Sequence, residues 1–151
     1  MSSKKISVLL LVLIAIFLNC SSGKETPLDP YYMRMADSEM KRYPESWMVD
    51  FSDKIKWNYT HGLELQAIIE VSEKTGDEKY FNYAENYADT MVNEDGTIKT
   101  YQLERYNIDH INPGKMLFPI FKKTGNPKYL KALQLLRSQM ETHPRISNGG
   151  Y

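Results

Sequence analysis

From Pro30 onward, apolar residues recur at the three- and four-residue spacing of amphipathic helices. This pattern predicts a first helix over 31–43, ended by Pro44, because a proline disfavours helical backbone at the residue before it. A second helix is predicted over 57–75. The centre of its apolar stripe is Leu63, Ala67 and Val71, and the stripe is widened by Leu65, Ile68 and Ile69. A stripe of this width indicates a helix that packs on two sides.

Polar residues with capping ability precede the remaining helical patterns. Asp77 is predicted to cap a third helix, and the Asn112-Pro113 and Asn126-Pro127 pairs are predicted to open helices that reach 123 and 141. One face of the third helix is apolar: Tyr80, Ala84, Tyr87, Ala88 and Met91. The segment 93–101 contains Asp95-Gly96 and predicts a turn with at most a short extended piece. The chain is therefore predicted to be all-α.

An internal repeat organises these helices into hairpins. The sequence KTGDEKY over 74–80 returns as KTGNPKY over 123–129, each copy lying between two helical patterns. Gly76 and Gly125 are predicted to end a helix in the left-handed conformation, and the polar residue that follows caps the next helix. A single hairpin of this size cannot bury both of its faces, so neighbouring copies must stack. An open solenoid and a closed ring both satisfy this demand.

The first residues have the pattern of a secretory signal. Lys4 and Lys5 precede an apolar run over 8–18, which is shorter than the about 20 residues that span a membrane. Cys20, the only cysteine, follows that run and resembles the lipidated residue of a bacterial lipoprotein. Asn19 departs from the small residue usual before such a cysteine, so ordinary signal cleavage is the alternative. We therefore expect a signal over 1–20, a flexible tether over 21–29 and one domain over 30–151.

Charge and composition exclude several functional classes. Nineteen basic and nineteen acidic residues cancel, without a run of like charge, which argues against a nucleic-acid partner. The three histidines, His61, His110 and His143, are too widely spaced for a recognisable zinc site. No glycine-rich phosphate loop is present. A membrane is expected as a partner only through the possible lipid anchor.

Two polar and aromatic clusters precede helices and form the candidate site. One is Trp57-Asn58-Tyr59-Thr60-His61, and the other is the segment 106–114, which contains Asp109 and His110. Aromatic planes can stack on sugar rings, and carboxylates and amides can bind hydroxyls or transfer protons. The alternative is structural: Asp109 and Asn112 cap a helix, and Trp57 and Tyr59 pack at its base. Spacing alone favours that alternative for each single residue.

The order of these clusters resembles a known enzyme family. KWNYTHG over 56–62, the TGDEKY turn, YNIDHINPGK over 106–115 and HPR with GGY at 143–151 together resemble the unsaturated rhamnogalacturonyl hydrolases of glycoside hydrolase family 105. These enzymes are relatives of the family 88 unsaturated glucuronyl hydrolases. The resemblance covers about residues 30 to 151. It implies an (α/α)6 toroid, of which this chain would supply the amino-terminal part.

The resemblance also implies a reaction. Such enzymes remove the 4,5-unsaturated uronic acid from the non-reducing end of oligosaccharides that lyases release from pectin, by hydrating the double bond. No metal or organic cofactor is implied. Asp109 matches the family's first active-site aspartate, which contacts the substrate and positions the reacting groups. Trp57, Asn58 and Tyr59 would form the cleft wall near the sugar, and His110 would support Asp109.

One departure from the family concerns the principal acid/base aspartate, which the resemblance places shortly after the Gly149-Gly150-Tyr151 sequence. The chain ends at Tyr151. We therefore expect a truncated chain that is inactive alone. The rival hypothesis is a non-catalytic helical-repeat module that binds carbohydrate or protein through the same aromatic clusters. A third is a helical lipoprotein of another family. The signal predicts an exported bacterial protein, periplasmic or anchored in the outer membrane; the oligomeric state is left open.

Overall fold

The computed structural model describes residues 29–150, and this part of the chain folds into five α-helices joined by loops and short 3-10 segments. The α-helices are α1 (Tyr31–Arg42), α2 (Tyr59–Thr75), α3 (Glu78–Met91), α4 (Leu117–Thr124) and α5 (Pro127–Thr142). The 3-10 segments are Ser46–Met48, Leu103–Arg105, Ile108–His110 and Asn112–Met116. Within the described range, β pairing is limited to one antiparallel bridge between Val92 and Ile98. The prediction of an all-α chain is confirmed.

The predicted signal over 1–20, with its candidate lipidation residue Cys20, lies outside the described residues. So do Tyr151 and the predicted tether, except for its last residue. Among the residues that the structure does describe, no helix is both long enough and apolar enough to cross a membrane.

The repeated Gly-Asx turns form as the sequence predicts. Gly76 ends α2 with φ 74°, and Gly125 ends α4 with φ 66°, both in the left-handed region. The Asp77 side chain accepts a hydrogen bond from the Lys79 N–H at 3.0 Å, and Asn126 accepts one from the Lys128 N–H at 3.1 Å. Each turn therefore ends one helix and starts the next within two residues, which gives two helical hairpins, α2–α3 and α4–α5.

The prediction that Asn112 caps a helix is wrong. The cap position falls on Ile111, whose backbone is already helical at φ −82° and ψ −39° and whose side chain forms no capping hydrogen bond. Asn112 instead begins the 3-10 segment that leads into α4. The cap in this region is Asn107, whose side-chain oxygen accepts a hydrogen bond from the Asp109 N–H at 3.0 Å. The chain thus winds almost continuously from 108 into α4.

The buried face of α2 is narrower than the predicted apolar stripe. Leu63 is 54% exposed and Ala67 is also exposed, whereas Leu65, Ile68, Ile69 and Val71 are buried. Which part of a wide stripe is buried depends on the partner that packs against the helix. Asn112–Met116 and α3 pack on the buried face. At Gly62 the approach is so close that a Cβ would lie 2.4 Å from the Cα of Pro113.

Aromatic side chains form much of the core between the hairpins. Trp57, Tyr80, Tyr87 and Tyr129 are at most 1% exposed. Their polar atoms tie segments together: the Tyr87 hydroxyl donates to the Lys56 carbonyl at 2.7 Å, and the Tyr129 hydroxyl donates to the Asp89 carboxylate. The first helix is joined to the core by Tyr83, whose hydroxyl donates to the Tyr43 carbonyl at 2.6 Å. Most of these buried rings have a hydrogen-bonded polar atom, because a polar group in a core needs a hydrogen-bond partner.

Gly62 provides a direct test of the contact between α2 and the start of α4. We expect Gly62→Ala to destabilise the fold by about 1 to 2 kcal/mol, because the added methyl group meets backbone atoms of Pro113 that cannot rotate away. This net value is the about 2 to 3 kcal/mol expected for the clash, less the about 1 kcal/mol by which alanine favours a helix over glycine. The measurement is urea unfolding, with Glu73→Ala on the exposed side of the same helix as the control. An unchanged or raised stability of Gly62→Ala would show that the contact is looser than described.

Candidate functional site

The two predicted clusters come together through Trp57. Its indole Nε1 donates a hydrogen bond to the His110 carbonyl at 2.7 Å, and its backbone N–H donates to the Thr100 hydroxyl at 2.8 Å. The start of α2 is therefore held against the segment that carries Asp109. These residues were predicted to share one cleft, and the hydrogen bond from Trp57 to the His110 carbonyl is a direct contact between the two clusters.

Trp57 itself offers no surface to a sugar in this structure. Its side chain is buried at 1% exposure, and its ring stacks on Tyr87 with centroids 5.9 Å apart and planes 10° apart. The His61 ring also stacks on the Tyr87 ring, with the two ring centroids 5.2 Å apart. The expected stacking of substrate on Trp57 does not fit this burial, since the indole is enclosed by protein. Trp57 therefore holds neighbouring residues of the candidate site in place rather than contacting a ligand.

Asn58 and Tyr59 lie where α2 begins. The Asn58 side-chain oxygen accepts a hydrogen bond from the Tyr59 N–H at 2.8 Å, so this oxygen is engaged as a cap. The Tyr59 ring is 41% exposed on the first turn. Of the aromatic residues in the first predicted cluster, Tyr59 is the one with a ring accessible to a ligand. Asn58 is half-buried. Because its side-chain oxygen is engaged as a cap, its amide nitrogen is the part of the side chain that remains available to a ligand.

Asp109 is exposed, and its neighbour His110 is half-buried. Burial lowers the pKa of His110, and the negative charge of Asp109 partly opposes this shift. The Nδ1 atom of His110 is buried and has no hydrogen-bond partner among the described residues. The exposed Asp109 therefore lies in a segment that Trp57 holds at the His110 carbonyl, next to a histidine whose pKa is lowered by burial.

A polar network that the sequence analysis did not anticipate lies under the Asp109 segment. Gln139, fully buried in α5, donates from Nε2 to the Asn107 carbonyl at 3.2 Å and accepts from the Tyr101 hydroxyl at 2.8 Å. One signal could have revealed it. Gln139 falls on the same helical face as the buried Ala132 and Leu136, and a polar residue on a buried stripe requires partners.

A second feature missed by the sequence analysis is a groove of about 430 Å³ between α1 and α2. Its lining includes Glu39, Glu64 and Lys74 but none of the predicted site residues. Burial, together with the negative charges of Glu39 and Asp50, raises the pKa of Glu64 to about 7. One carboxylate oxygen of Glu64 is buried without a hydrogen-bond partner among the described residues.

The described residues bring no three histidine, cysteine, aspartate or glutamate side chains together in a way that could hold a metal ion. The chemistry available around Asp109 is that of carboxylate, imidazole, amide and phenol groups. These groups can bind hydroxyls and carboxylates and transfer protons.

Comparison with known proteins identifies a family and a similar solved structure. The family model for Glycosyl Hydrolase Family 88 matches residues 31–151. A solved structure of a glycoside hydrolase from family 105, from C. acetobutylicum ATCC 824, superposes with a TM-score of 0.69 at 45% sequence identity. The match covers 78% of this chain and 31% of that one, so the chain spans less than a third of the hydrolase it resembles. The predicted toroid-type, all-α fold class is confirmed by this shared fold.

The buried carboxyl group of Glu64 predicts a pH-dependent stability difference. In the unfolded chain its pKa is about 4.3, and in the folded chain it is about 7. The folded state therefore binds more protons between these values, and the stabilisation is lost as the pH rises through 7. We expect Glu64→Gln to be more stable than the wild type by about 1 kcal/mol at about pH 8, a value discounted for partial exposure, and equally stable at about pH 4.

Urea unfolding at the two pH values checks this expectation. Glu70→Gln, on an exposed position of the same helix, is the matched control and should give the same small difference from the wild type at both. A Glu64→Gln difference that does not change with pH would mean that this carboxyl group is solvated like the control.

Proposed function

The chain belongs to glycoside hydrolase family 88, and from this premise we propose that it forms part of an enzyme that removes a 4,5-unsaturated uronic acid from the non-reducing end of an oligosaccharide. The proposed source of the substrate is pectin, specifically rhamnogalacturonan, after cleavage by a lyase. The family membership supports the glycosidase activity. The resemblance of the 56–62 and 106–115 segments to family 105 enzymes supports the choice of substrate.

The observation that carries this proposal is the setting of Asp109. Its side chain is exposed, while the carbonyls of Asn107 and His110 on either side accept hydrogen bonds from buried side chains. A catalytic group needs this combination, because the substrate must reach it and its position must be fixed before the substrate arrives. Tyr59 supplies an exposed ring and Asn58 an amide at the start of α2, where they are proposed to contact the sugar.

The proposed reaction is hydration of an enol ether. A carboxylic acid gives a proton to C4 of the unsaturated sugar, and the oxygen of a water molecule bonds to C5 while its proton passes to a carboxylate. The resulting hemiketal opens to a ketone, and the glycosidic bond at C1 then breaks with release of the remaining oligosaccharide. Asp109 is proposed to bind the sugar and orient it for this addition. The principal acid/base aspartate is proposed to lie in the part of the enzyme that follows Tyr151.

An activity assay on Asp109→Asn tests the proposal. We expect loss of the ultraviolet absorbance of the enol ether on lyase-digested rhamnogalacturonan when the chain is extended through its downstream reading frame. Asp109→Asn should slow this loss by about 10²-fold or more, since misplacement of the reacting groups lowers the rate on that scale. Glu104→Gln, an exposed carboxylate in the preceding 3-10 segment, is the control and should retain the activity.

The alternative outcome is equally informative. A folded, extended protein that binds the oligosaccharide but leaves its double bond intact would contradict the proposed reaction. The non-catalytic binding module would then be the better description, because the same aromatic and polar groups would act without proton transfer.

Localisation is a separate proposal that rests on the amino-terminal pattern. We propose that the protein is exported and that Cys20 carries a lipid. Cys20→Ser should move the protein from the membrane fraction of the producing bacterium to its soluble fraction and abolish labelling by a fatty acid. A protein that is soluble with Cys20 intact would instead support ordinary signal cleavage.

A further inference from the structure

The backbone around Asp109 is held at two points by side chains from different parts of the fold. On one side, the Asn107 carbonyl accepts a hydrogen bond from Gln139 in α5 at 3.2 Å. On the other, the His110 carbonyl accepts one from the Trp57 indole, just before α2, at 2.7 Å. Both donors are at most 1% exposed, so water does not compete for these bonds. Asp109 therefore lies between two buried attachments that come from the two hairpins.

The Gln139 amide can take only one orientation. The Asn107 carbonyl is purely an acceptor, so the amide NH₂ must face it and the amide oxygen must face Tyr101. The Tyr101 hydroxyl then donates to that oxygen at 2.8 Å. An amide with a single allowed orientation is a well-defined donor, in contrast to an exposed glutamine that samples several rotamers. The geometry of the Asn107 carbonyl is thereby set from within the core.

We propose that Gln139 is a positioning residue for Asp109, acting through the Asn107 carbonyl. Packing of α5 alone would be met by an apolar residue, as at Leu136 on the same buried face. Burying an amide costs free energy unless the amide is hydrogen-bonded. The hydrogen bond that Gln139 donates goes to Asn107, in the segment that carries Asp109. The side chain of Asn107 continues the connection, because its oxygen accepts from the Asp109 N–H at 3.0 Å. The catalytic relevance of this arrangement rests on the function proposed for Asp109.

Replacing Gln139 should have a local effect rather than unfold the chain. Gln139→Met keeps the length and the apolar contacts of the side chain but removes the donor to Asn107. The Trp57 bond to His110 remains, so the segment stays attached at one end. We therefore expect the Asn107 end to become mobile while the hairpins stay intact.

Nuclear magnetic resonance relaxation on the full chain measures this directly. The backbone order parameter of Asp109 should fall from about 0.85 in the wild type to below about 0.6 in Gln139→Met. The matched control is Tyr83→Phe, which also removes one buried hydrogen bond, to the Tyr43 carbonyl, far along the chain from Asp109. It should lower the melting temperature to a similar degree and leave the order parameter of Asp109 unchanged. An unchanged order parameter in Gln139→Met would overturn the proposal.

A second variant covers the case in which Gln139→Met does not fold. Tyr101→Phe leaves Gln139 in place but removes the bond that orients its amide, so the order parameter of Asp109 should fall by a smaller amount. The same order parameter in Tyr101→Phe and the wild type would count against positioning by this network.

Kinetics on the extended protein link the positioning to the reaction. Gln139→Met should lower kcat about 10-fold with little change in KM, because a misplaced group affects the reacting geometry more than binding. If Gln139→Met lowers the order parameter of Asp109 but leaves kcat unchanged, the positioning of Asp109 by Gln139 does not contribute to the reaction. If Asp109→Asn has no effect on activity but Gln139→Met still mobilises the segment, the proposed function fails and the structural assignment of Gln139 stands.

Discussion

The indole N–H of Trp57 is buried, and the structure satisfies it with the carbonyl of His110 at 2.7 Å. An unsatisfied donor at this depth would cost about 1 to 3 kcal/mol, so the start of α2 and the segment 108–110 are obliged to lie together. The close approach of Pro113 to Gly62 follows from the same arrangement, because it brings the next turn of chain onto the helix. The stacking of Trp57 on Tyr87 then extends the constraint to α3. Three elements that are distant in sequence are thus fixed by one buried side chain.

This constraint explains how an exposed carboxylate can be well placed. Asp109 belongs to a short 3-10 segment, which by itself has too few hydrogen bonds to be rigid. The buried donors Trp57 and Gln139 replace the missing backbone bonds at its two ends. Rigidity therefore comes from the core and exposure from the surface, and both are required by the substrate-positioning role proposed for Asp109.

Burial also shifts the pKa values of groups in α2 and α3. It lowers the pKa of His61, whose ring nitrogen Nε2 lies 3.1 Å from the Trp47 carbonyl, and it raises the pKa of Tyr87, which donates to the Lys56 carbonyl. For both groups burial disfavours the charged form, whereas the hydrogen bond to the Trp47 carbonyl raises the pKa of His61. The pKa of Glu64 is raised to about 7, mainly by burial, and one of its oxygens lacks a hydrogen-bond partner among the described residues. The groove between α1 and α2 therefore contains a buried carboxyl oxygen whose desolvation is not offset by a hydrogen bond.

Local sequence determined the helical hairpins, whereas the tertiary structure decided which of their side chains are buried and which partners those side chains bind. The Gly76-Asp77 and Gly125-Asn126 turns could be predicted because left-handed glycine and Asx capping are properties of a few adjacent residues. The position of Asp109 beside the α2 start was expected from family resemblance, not from spacing. Asn112 lies inside a 3-10 segment rather than at a cap, and α2 buries only part of its predicted apolar stripe, because the burial of a helix face depends on the partner that packs against it. The burial of Trp57 and the role of Gln139 likewise arise only when the hairpins pack, since a side chain's exposure and its hydrogen-bond partner are properties of that packing.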